Sequence, residues 1–251
     1  MAAAAEYPTC TVPAGRYPIG SDTGPAAARP AHTVALGAFA IGRCAVTNAH
    51  FALFIAAGGY DDPRWWTEMG WRWRQGRGAA RPGFWDDPAF NDPAQPVVGV
   101  CWYEADAFAR WLAATTAQPW RLPTEAEWEA AARGSGDQPA PDPAHINSAE
   151  WRAGRPWPAA RGAASWCGAV GLLGNVWEWC STRWGHNWQT LDYPYPYDPD
   201  DGREALDGSH ARVMRGGSWF DPASQALPSS RGRYLPGSRG SNIGFRLARS
   251  L

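Results

Sequence analysis

The sequence contains no lysine, because all 23 of its basic residues are arginine. It also has no excess of either charge, since its formal net charge is −1. This balance excludes a general nucleic-acid or membrane-surface binder, because both need positive charge. We interpret the absence of lysine as the mark of a GC-rich, thermophilic source. Arginine suits bidentate hydrogen bonds to carboxylates and carbonyls.

Cysteines at CxxC spacing are also absent, and the five cysteines are an odd number. They therefore predict neither a disulfide framework nor a zinc site. No hydrophobic run is long enough to span a membrane, and residues 1–6 lack the basic and apolar regions of a secretory signal. We therefore expect a cytoplasmic protein without a membrane partner. The cysteines are Cys10, Cys44, Cys101, Cys167 and Cys180.

Tryptophan, glycine and proline are plentiful. The 17 tryptophans lie between Trp65 and Trp219, and the 28 glycines and 23 prolines indicate many turns. This composition predicts a compact, irregular core built around large flat side chains rather than long helices. At 251 residues the chain fits one domain over residues 9–251, preceded by a flexible N-terminus over residues 1–8.

Local signals predict short elements separated by turns. The clearest is Thr124-x-x-Glu127, a capping box that predicts a helix ending before Gly134. Apolar spacing predicts further helices around residues 47–58 and 105–112. Runs of β-prone residues predict strands at 10–12, 33–36, 39–41, 97–100 and 174–180, and residues 60–96 are predicted to form a packed, tryptophan-rich loop.

The C-terminal stretch, residues 212–251, differs from the rest of the chain. Strand-like runs at 212–215 and 244–248 bracket a segment rich in serine, arginine, glycine and proline. The segment has too little aliphatic surface to fold alone, so the preceding residues must hold it in place. We interpret it as an ordered surface segment that carries the function.

Five motifs follow one another in a fixed order, and together they resemble the formylglycine-generating enzyme, or sulfatase-modifying factor, family. The resemblance runs from about residue 9 to the C-terminus. It implies an α+β, C-type-lectin-like fold with a small twisted antiparallel sheet, two main helices and extensive irregular loops. The motifs are PVVGV (96–100), RLPTEAEWEAAARG (121–134), GNVWEW (174–179), RVMRGGSW (212–219) and NIGFRLAR (242–249).

The resemblance also allows two redox activities to be weighed. Oxidising members of this family bind copper through two cysteines after the GGS motif, a thiolate pair that suits a soft ion. No cysteine follows Cys180 here, so we do not expect copper or formylglycine oxidase activity. Iron-dependent sulfoxide synthases with this domain take three histidines from a separate helical domain. The histidines here have no H-x-x-x-H spacing, and we expect structural or surface roles for His32, His50, His145, His186 and His210.

Calcium is the cofactor that the resemblance does imply. By analogy with the family, the carbonyl oxygens of Gly174 and Val176 and the carboxylate of Glu178 would be its ligands, as suits a hard cation. Gly171 stands where the family usually supplies one more side-chain ligand. The alternative is that Glu178 pairs with an arginine in the core.

The tail resembles a second group with this fold, the variable proteins of diversity-generating retroelements. In those proteins error-prone copying of a template at adenines diversifies the C-terminal coding segment. The resemblance places a variable binding segment at residues 219–242, with fixed arginines between exchangeable residues. The implied structural residues are Arg231, Arg233 and Arg239. The implied binding residues are Phe220, Asp221, Ser230, Gly232, Tyr234, Leu235, Ser238, Gly240 and Ser241.

These observations favour a monomeric, non-catalytic, receptor-type protein whose variable segment binds an unknown protein or other macromolecule. Exposed aromatics would anchor the ligand and small polar side chains would adapt to it, as in an antibody paratope. The alternative is an oxidase-like or accessory enzyme of the same family that lacks the copper cysteine pair.

Overall fold

The structure is a computed structural model that describes residues 7–135 and 142–251. Within these ranges the chain alternates short strands with α-helices and single turns of 3-10 helix. The strands are β1 (Thr9–Val12), β2 (Gly15–Ile19), β3 (His32–Leu36), β4 (Phe39–Gly42), β5 (Trp177–Gly185), β6 (Ala211–Arg215), β7 (Arg231–Tyr234), β8 (Ile243–Phe245) and β9 (Ala248–Ser250). The α-helices are α1 (Asn48–Ala56), α2 (Glu68–Arg77), α3 (Trp102–Thr116) and α4 (Glu125–Arg133).

The strands of the described residues form three small sheets. One has the order β1-β4-β9, so the last strand returns to the first part of the chain; the second is the hairpin β2-β3. The third has the order β7-β6-β5-β8 and carries the C-terminal segment. All pairs are antiparallel except β5 with β8, which are parallel. The largest sheet is therefore mixed, not purely antiparallel as expected.

Most of the buried hydrophobic side chains of the described residues form two clusters. Helices α1 and α3 meet in the first cluster, where the rings of Phe51 and Phe108 stack at 5.3 Å. Helix α4 enters the second cluster through Trp128, which is fully buried. The tryptophans thus supply much of the packing between short elements, because each one buries a large apolar area.

Helix α4 begins where its capping box predicts. The Thr124 hydroxyl accepts a hydrogen bond from the Glu127 amide at 3.1 Å, and the Glu127 carboxylate accepts one from the Thr124 amide at 2.9 Å. The helix ends at Gly134, which adopts φ +77°. Both predicted ends of this helix are confirmed.

Other elements differ from the prediction. Residues 97–100 form no strand, because their amides bond to scattered carbonyls: Val97 to Val46 and Gly99 to Gly240. The predicted loop at 60–96 contains helix α2, capped by Thr67 and ended by Gly78 in the left-handed region. The C-terminal stretch holds β7 in its middle, and the predicted terminal strand is split into β8 and β9. Four α-helices, rather than two, lie in the described ranges.

Candidate binding surface

The C-terminal segment is tied to helix α4 by Arg231. Its guanidinium donates from Nε and from one terminal nitrogen to the two oxygens of Glu125, each at 2.8 Å. Its other terminal nitrogen donates to the carbonyl of Ala27 at 2.7 Å. Both side chains of this ion pair are fully buried. Because Glu125 is the first residue of α4, the pair fixes the start of β7 to the scaffold.

Arg239 makes a second tie, to helix α3. It donates to both carboxylate oxygens of Glu104, which also accepts a hydrogen bond from the hydroxyl of Tyr60 and one from the amide of Cys101. The guanidinium also lies 5.0 Å from the ring of Trp73. Glu104 is fully buried, whereas Arg239 reaches partly into solvent.

Arg233 differs from these two residues. Its side chain is exposed, donates to the carbonyl of Trp188 at 3.1 Å and lies 4.9 Å from the ring of Trp184. It therefore holds a loop rather than a buried carboxylate.

Two more arginines, on or just after the flanking strands, make three further buried ion pairs. Arg215 of β6 lies between Glu125 and Glu129 of α4. Burial raises the pKa of Glu129, and the nearby guanidinium of Arg215 opposes that rise. Arg246, just after β8, binds both oxygens of Glu178 at 2.6 and 2.7 Å. Removing one partner of such a pair leaves an uncompensated buried charge, so each pair constrains the sheet strongly.

The predicted binding residues do not all lie at the surface. Phe220, Tyr234 and Leu235 are 68%, 49% and 43% exposed. Ser230 is only 6% exposed, so its expected place on the binding surface is corrected: it is buried in the turn before β7, where its amide donates to the carbonyl of Leu227 at 3.0 Å. The remaining predicted positions are half-buried, namely Asp221, Gly232, Ser238, Gly240 and Ser241.

Trp177, the first residue of β5, contacts three residues of the C-terminal segment. Its indole N–H donates to the Asp221 carboxylate at 2.8 Å, and its amide donates to the carbonyl of Asn242 at 2.9 Å. A Cβ added at Gly232 would lie 3.0 Å from its ring. In the sequence, Trp177 stands out only as part of the GNVWEW motif. Its role at this surface depends on contacts between distant parts of the chain.

Two neighbouring loops extend the surface and were not predicted. One is the loop that contains Trp188, whose side chain is about half exposed and whose carbonyl accepts the hydrogen bond from Arg233. Residues 149–151 lie beside Asp221, because the amide of Ala149 donates to the Asp221 carbonyl at 2.9 Å. The carboxylate of Glu150 in turn accepts a hydrogen bond from the amide of Ala223 at 3.0 Å. We call the exposed and half-buried residues of 219–242, together with residues 149–151 and the loop that contains Trp188, the binding surface.

The residues expected to bind calcium do not fit that ion. Both oxygens of Glu178 are taken by Arg246, and Trp128 donates to one of them at 2.7 Å. The carbonyl of Gly174 accepts a hydrogen bond from the amide of Val176 at 2.9 Å. The arrangement is therefore the core ion pair that the sequence left as the alternative. In the described ranges no three or more His, Cys, Asp or Glu side chains are grouped to hold a metal ion.

No helix of the described residues combines the length and the apolar character that crossing a membrane requires.

Comparison with known proteins identifies relatives. The chain is 37% identical to hercynine oxygenase of Mycolicibacterium thermoresistibile over 88% of its own length, and it spans about half, 52%, of that relative. It is 32% identical to the formylglycine-generating enzyme of Streptomyces coelicolor, over 92% of this chain and 82% of that enzyme. Treponema denticola variable protein 1 superposes with a TM-score of 0.70 at 24% identity, over 97% of this chain and 95% of that one.

The structural match and the family assignment confirm the predicted α+β, C-type-lectin-like fold. The model of the sulfatase-modifying factor enzyme 1-like domain matches residues 3–251. On this match and on the two enzyme relatives, the chain belongs to the sulfatase-modifying factor enzyme 1-like domain family.

Proposed function

We propose that this protein is a non-catalytic, receptor-type ligand-binding protein and that its ligand contacts the binding surface. The observation that carries the proposal is the contrast within one short segment. The side chains of Phe220, Tyr234 and Leu235 are exposed to solvent. Arg231, in the same segment, forms a fully buried ion pair. Exposed apolar side chains on rigid backbone are typical of interaction surfaces.

Rigidity supports the proposal because binding then costs little ordering of the protein. Arg231 and Arg239 fix the segment at two points, to helices α4 and α3 respectively. Side chains between these points can change without removing either ion pair. A surface of this kind keeps its fold while its ligand preference varies, which is what diversification by a retroelement requires.

The first test is to sequence the genomic DNA on both sides of the gene. We expect a nearby reverse-transcriptase gene and a near-copy of the coding segment for residues 219–242, differing only at adenines. Absence of both would remove the retroelement from the proposal and leave a binding surface with a fixed sequence.

The second candidate function is enzymatic. The observation that favours it is the 37% identity to hercynine oxygenase, of which the chain spans about half. On this alternative the chain would bind hercynine and support its oxygenation. Isothermal titration of hercynine into the protein tests binding, and dioxygen consumption with added ferrous iron tests turnover. Saturable heat together with hercynine-dependent oxygen uptake would favour the enzyme, whereas neither is expected on the receptor proposal.

A further inference from the structure

Two half-buried cysteines from distant parts of the sequence lie against the second hydrophobic cluster. Cys10 lies in β1 and Cys167 in the turn at residues 165–168, and both pack against that cluster. Cys101 and Cys180 are fully buried instead. All five cysteines are free thiols in this structure. Cys44 is half-buried as well, but Cys10 and Cys167 are the two half-buried cysteines that pack against this cluster.

The turn places the backbone next to Cys167 close to Cys10 of β1. It is closed by hydrogen bonds from the Ser165 amide to the carbonyl of Ala169 at 2.7 Å and from the Gly168 amide to Ser165 at 2.9 Å. Gly168, directly after Cys167, adopts φ +91°, and a Cβ placed on it would lie 3.5 Å from the sulfur of Cys10. Cys167 is the preceding residue, so its Cα lies about 3.8 Å from that of Gly168. Its thiol donates to the carbonyl of Ala131 in α4 at 3.6 Å, so the side chain must leave this hydrogen bond and turn toward Cys10 before the two sulfurs can bond.

The surroundings give the two thiols different reactivity. Burial and the neighbouring Cys167 sulfur raise the pKa of Cys10, and the guanidinium groups of Arg43 and Arg246 oppose that rise. A raised pKa reduces the thiolate fraction of Cys10. The sulfur of Cys167 lies 3.3 Å from the hydroxyl of Ser165, which can donate a hydrogen bond to a thiolate. Because burial disfavours the thiolate of Cys10, we assign the first attack to Cys167.

We propose that Cys10 and Cys167 form a reversible thiol–disulfide pair that joins β1 to the turn at residues 165–168 when a small disulfide such as oxidised glutathione is present. The Cys167 thiolate attacks oxidised glutathione, forms a mixed disulfide and releases one glutathione thiolate. The Cys10 thiolate then attacks the Cys167 sulfur and releases the second. The protein pair loses two electrons and two protons, and one glutathione disulfide becomes two thiols.

The experiment incubates the full chain with oxidised glutathione, blocks the remaining thiols and digests the protein without reduction. A protease that cleaves after aromatic residues is required, because Trp177 and Trp179 then separate Cys167 from Cys180. We expect two of the five thiols to be lost and one pair of linked peptides, containing Cys10 and Cys167, that reduction separates. The thermal midpoint should rise by about 5 °C or more on oxidation, because the bond closes a long loop.

Single variants give the controls. Cys44→Ser should leave the linked pair unchanged, since Cys44 is half-buried in the same way but lies outside the proposed bond. In the Cys10→Ser variant the reaction should stop at the glutathione adduct on Cys167. The Cys167→Ser variant should react with oxidised glutathione more slowly and should give no linked peptide. A link from Cys10 to Cys44, or survival of all five thiols under oxidation, would overturn the proposal.

Discussion

Individual arginines decide whether the C-terminal segment stays in place. Arg231 and Arg233 are two positions apart in β7, yet one side chain is buried against Glu125 and the other is exposed against a loop carbonyl. Strand alternation places both side chains on the same face, since residues two positions apart share one, and both guanidinium groups lie about 5 Å from the ring of Trp184. The difference comes from what lies beyond that face: the buried carboxylate of Glu125 for Arg231 and an exposed loop carbonyl for Arg233. The two residues therefore form a matched pair for measuring what a buried ion pair contributes.

Arg231→Ala is expected to lower the free energy of unfolding by about 3–5 kcal/mol, because Glu125 would keep only its weaker contacts with Arg215 and Tyr195. Arg233→Ala should cost under about 1 kcal/mol, since its single backbone hydrogen bond is exposed. Urea denaturation of the two variants measures both values. Equal losses would contradict the distinction between the two arginines.

The exposed apolar side chains, unlike Arg231, should contribute little to stability. Replacing Phe220, Tyr234 and Leu235 together by serine should change stability by less than about 1.5 kcal/mol, because surface positions usually contribute within about 0.5 kcal/mol each. Thermal unfolding checks this value. A collapse of the fold would show that these side chains belong to the packing rather than to a binding surface.

At the scale of elements, strands β5 and β7 are coupled through one side chain. The ring of Trp177, at the start of β5, covers Gly232 in β7 and donates to Asp221. Gly232 was predicted only as an exchangeable surface residue. The structure adds that a side chain at this position would press on the Trp177 ring, which must then move by a few tenths of an ångström and which carries the hydrogen bond to Asp221.

Gly232→Val should therefore lower stability by about 1–3 kcal/mol through crowding. A double-mutant cycle with Trp177→Leu tests the cause: the valine should cost less once the indole is gone. Asp221→Asn serves as the companion variant, because it weakens the hydrogen bond without touching the ring contact. If the effects of Gly232→Val and Trp177→Leu on stability were additive, the loss caused by valine would not come from contact with the Trp177 ring.

Elements with local signals could be predicted from the sequence, and those with distant partners could not. Thr124 and Glu127 stand three residues apart, so the start of α4 was visible in the sequence. Strand β7 was missed because Arg231–Tyr234 has no hydrophobic alternation and depends on pairing with β6. The partner of Arg231 could not be foreseen, since Glu125 lies 106 positions earlier. The roles of the predicted binding residues stay predictions.

At the scale of the whole molecule, histidine protonation links stability to pH. The ring of His32 accepts a hydrogen bond from the amide of Tyr197 at 2.8 Å through Nε2, while Nδ1 lies 2.9 Å from the carbonyl of Pro30. Burial lowers the pKa of His32, and the hydrogen bond to Pro30 opposes this. Burial lowers the pKa of His50 and His210 as well.

A lowered histidine pKa means that the unfolded chain binds more protons than the folded one below about pH 6.5. The contribution of His32 to stability should therefore be complete above that pH and should fall as the pH drops toward its folded value. His32→Gln should show a flatter dependence of unfolding free energy on pH between about 5 and 7 than the parent protein. Parallel curves for the two proteins would contradict this role of His32.

The sheet β1-β4-β9 also determines how the molecule would respond to mechanical force. β1 and β9 flank β4 and run in the same direction, so Thr9 pairs with Gly42 at one end of β4 while Ser250 pairs with Phe39 at the other. A pull on the two ends of the chain would slide β1 and β9 past β4 in opposite directions. The hydrogen bonds of these short strands would then share the load in shear instead of opening one by one.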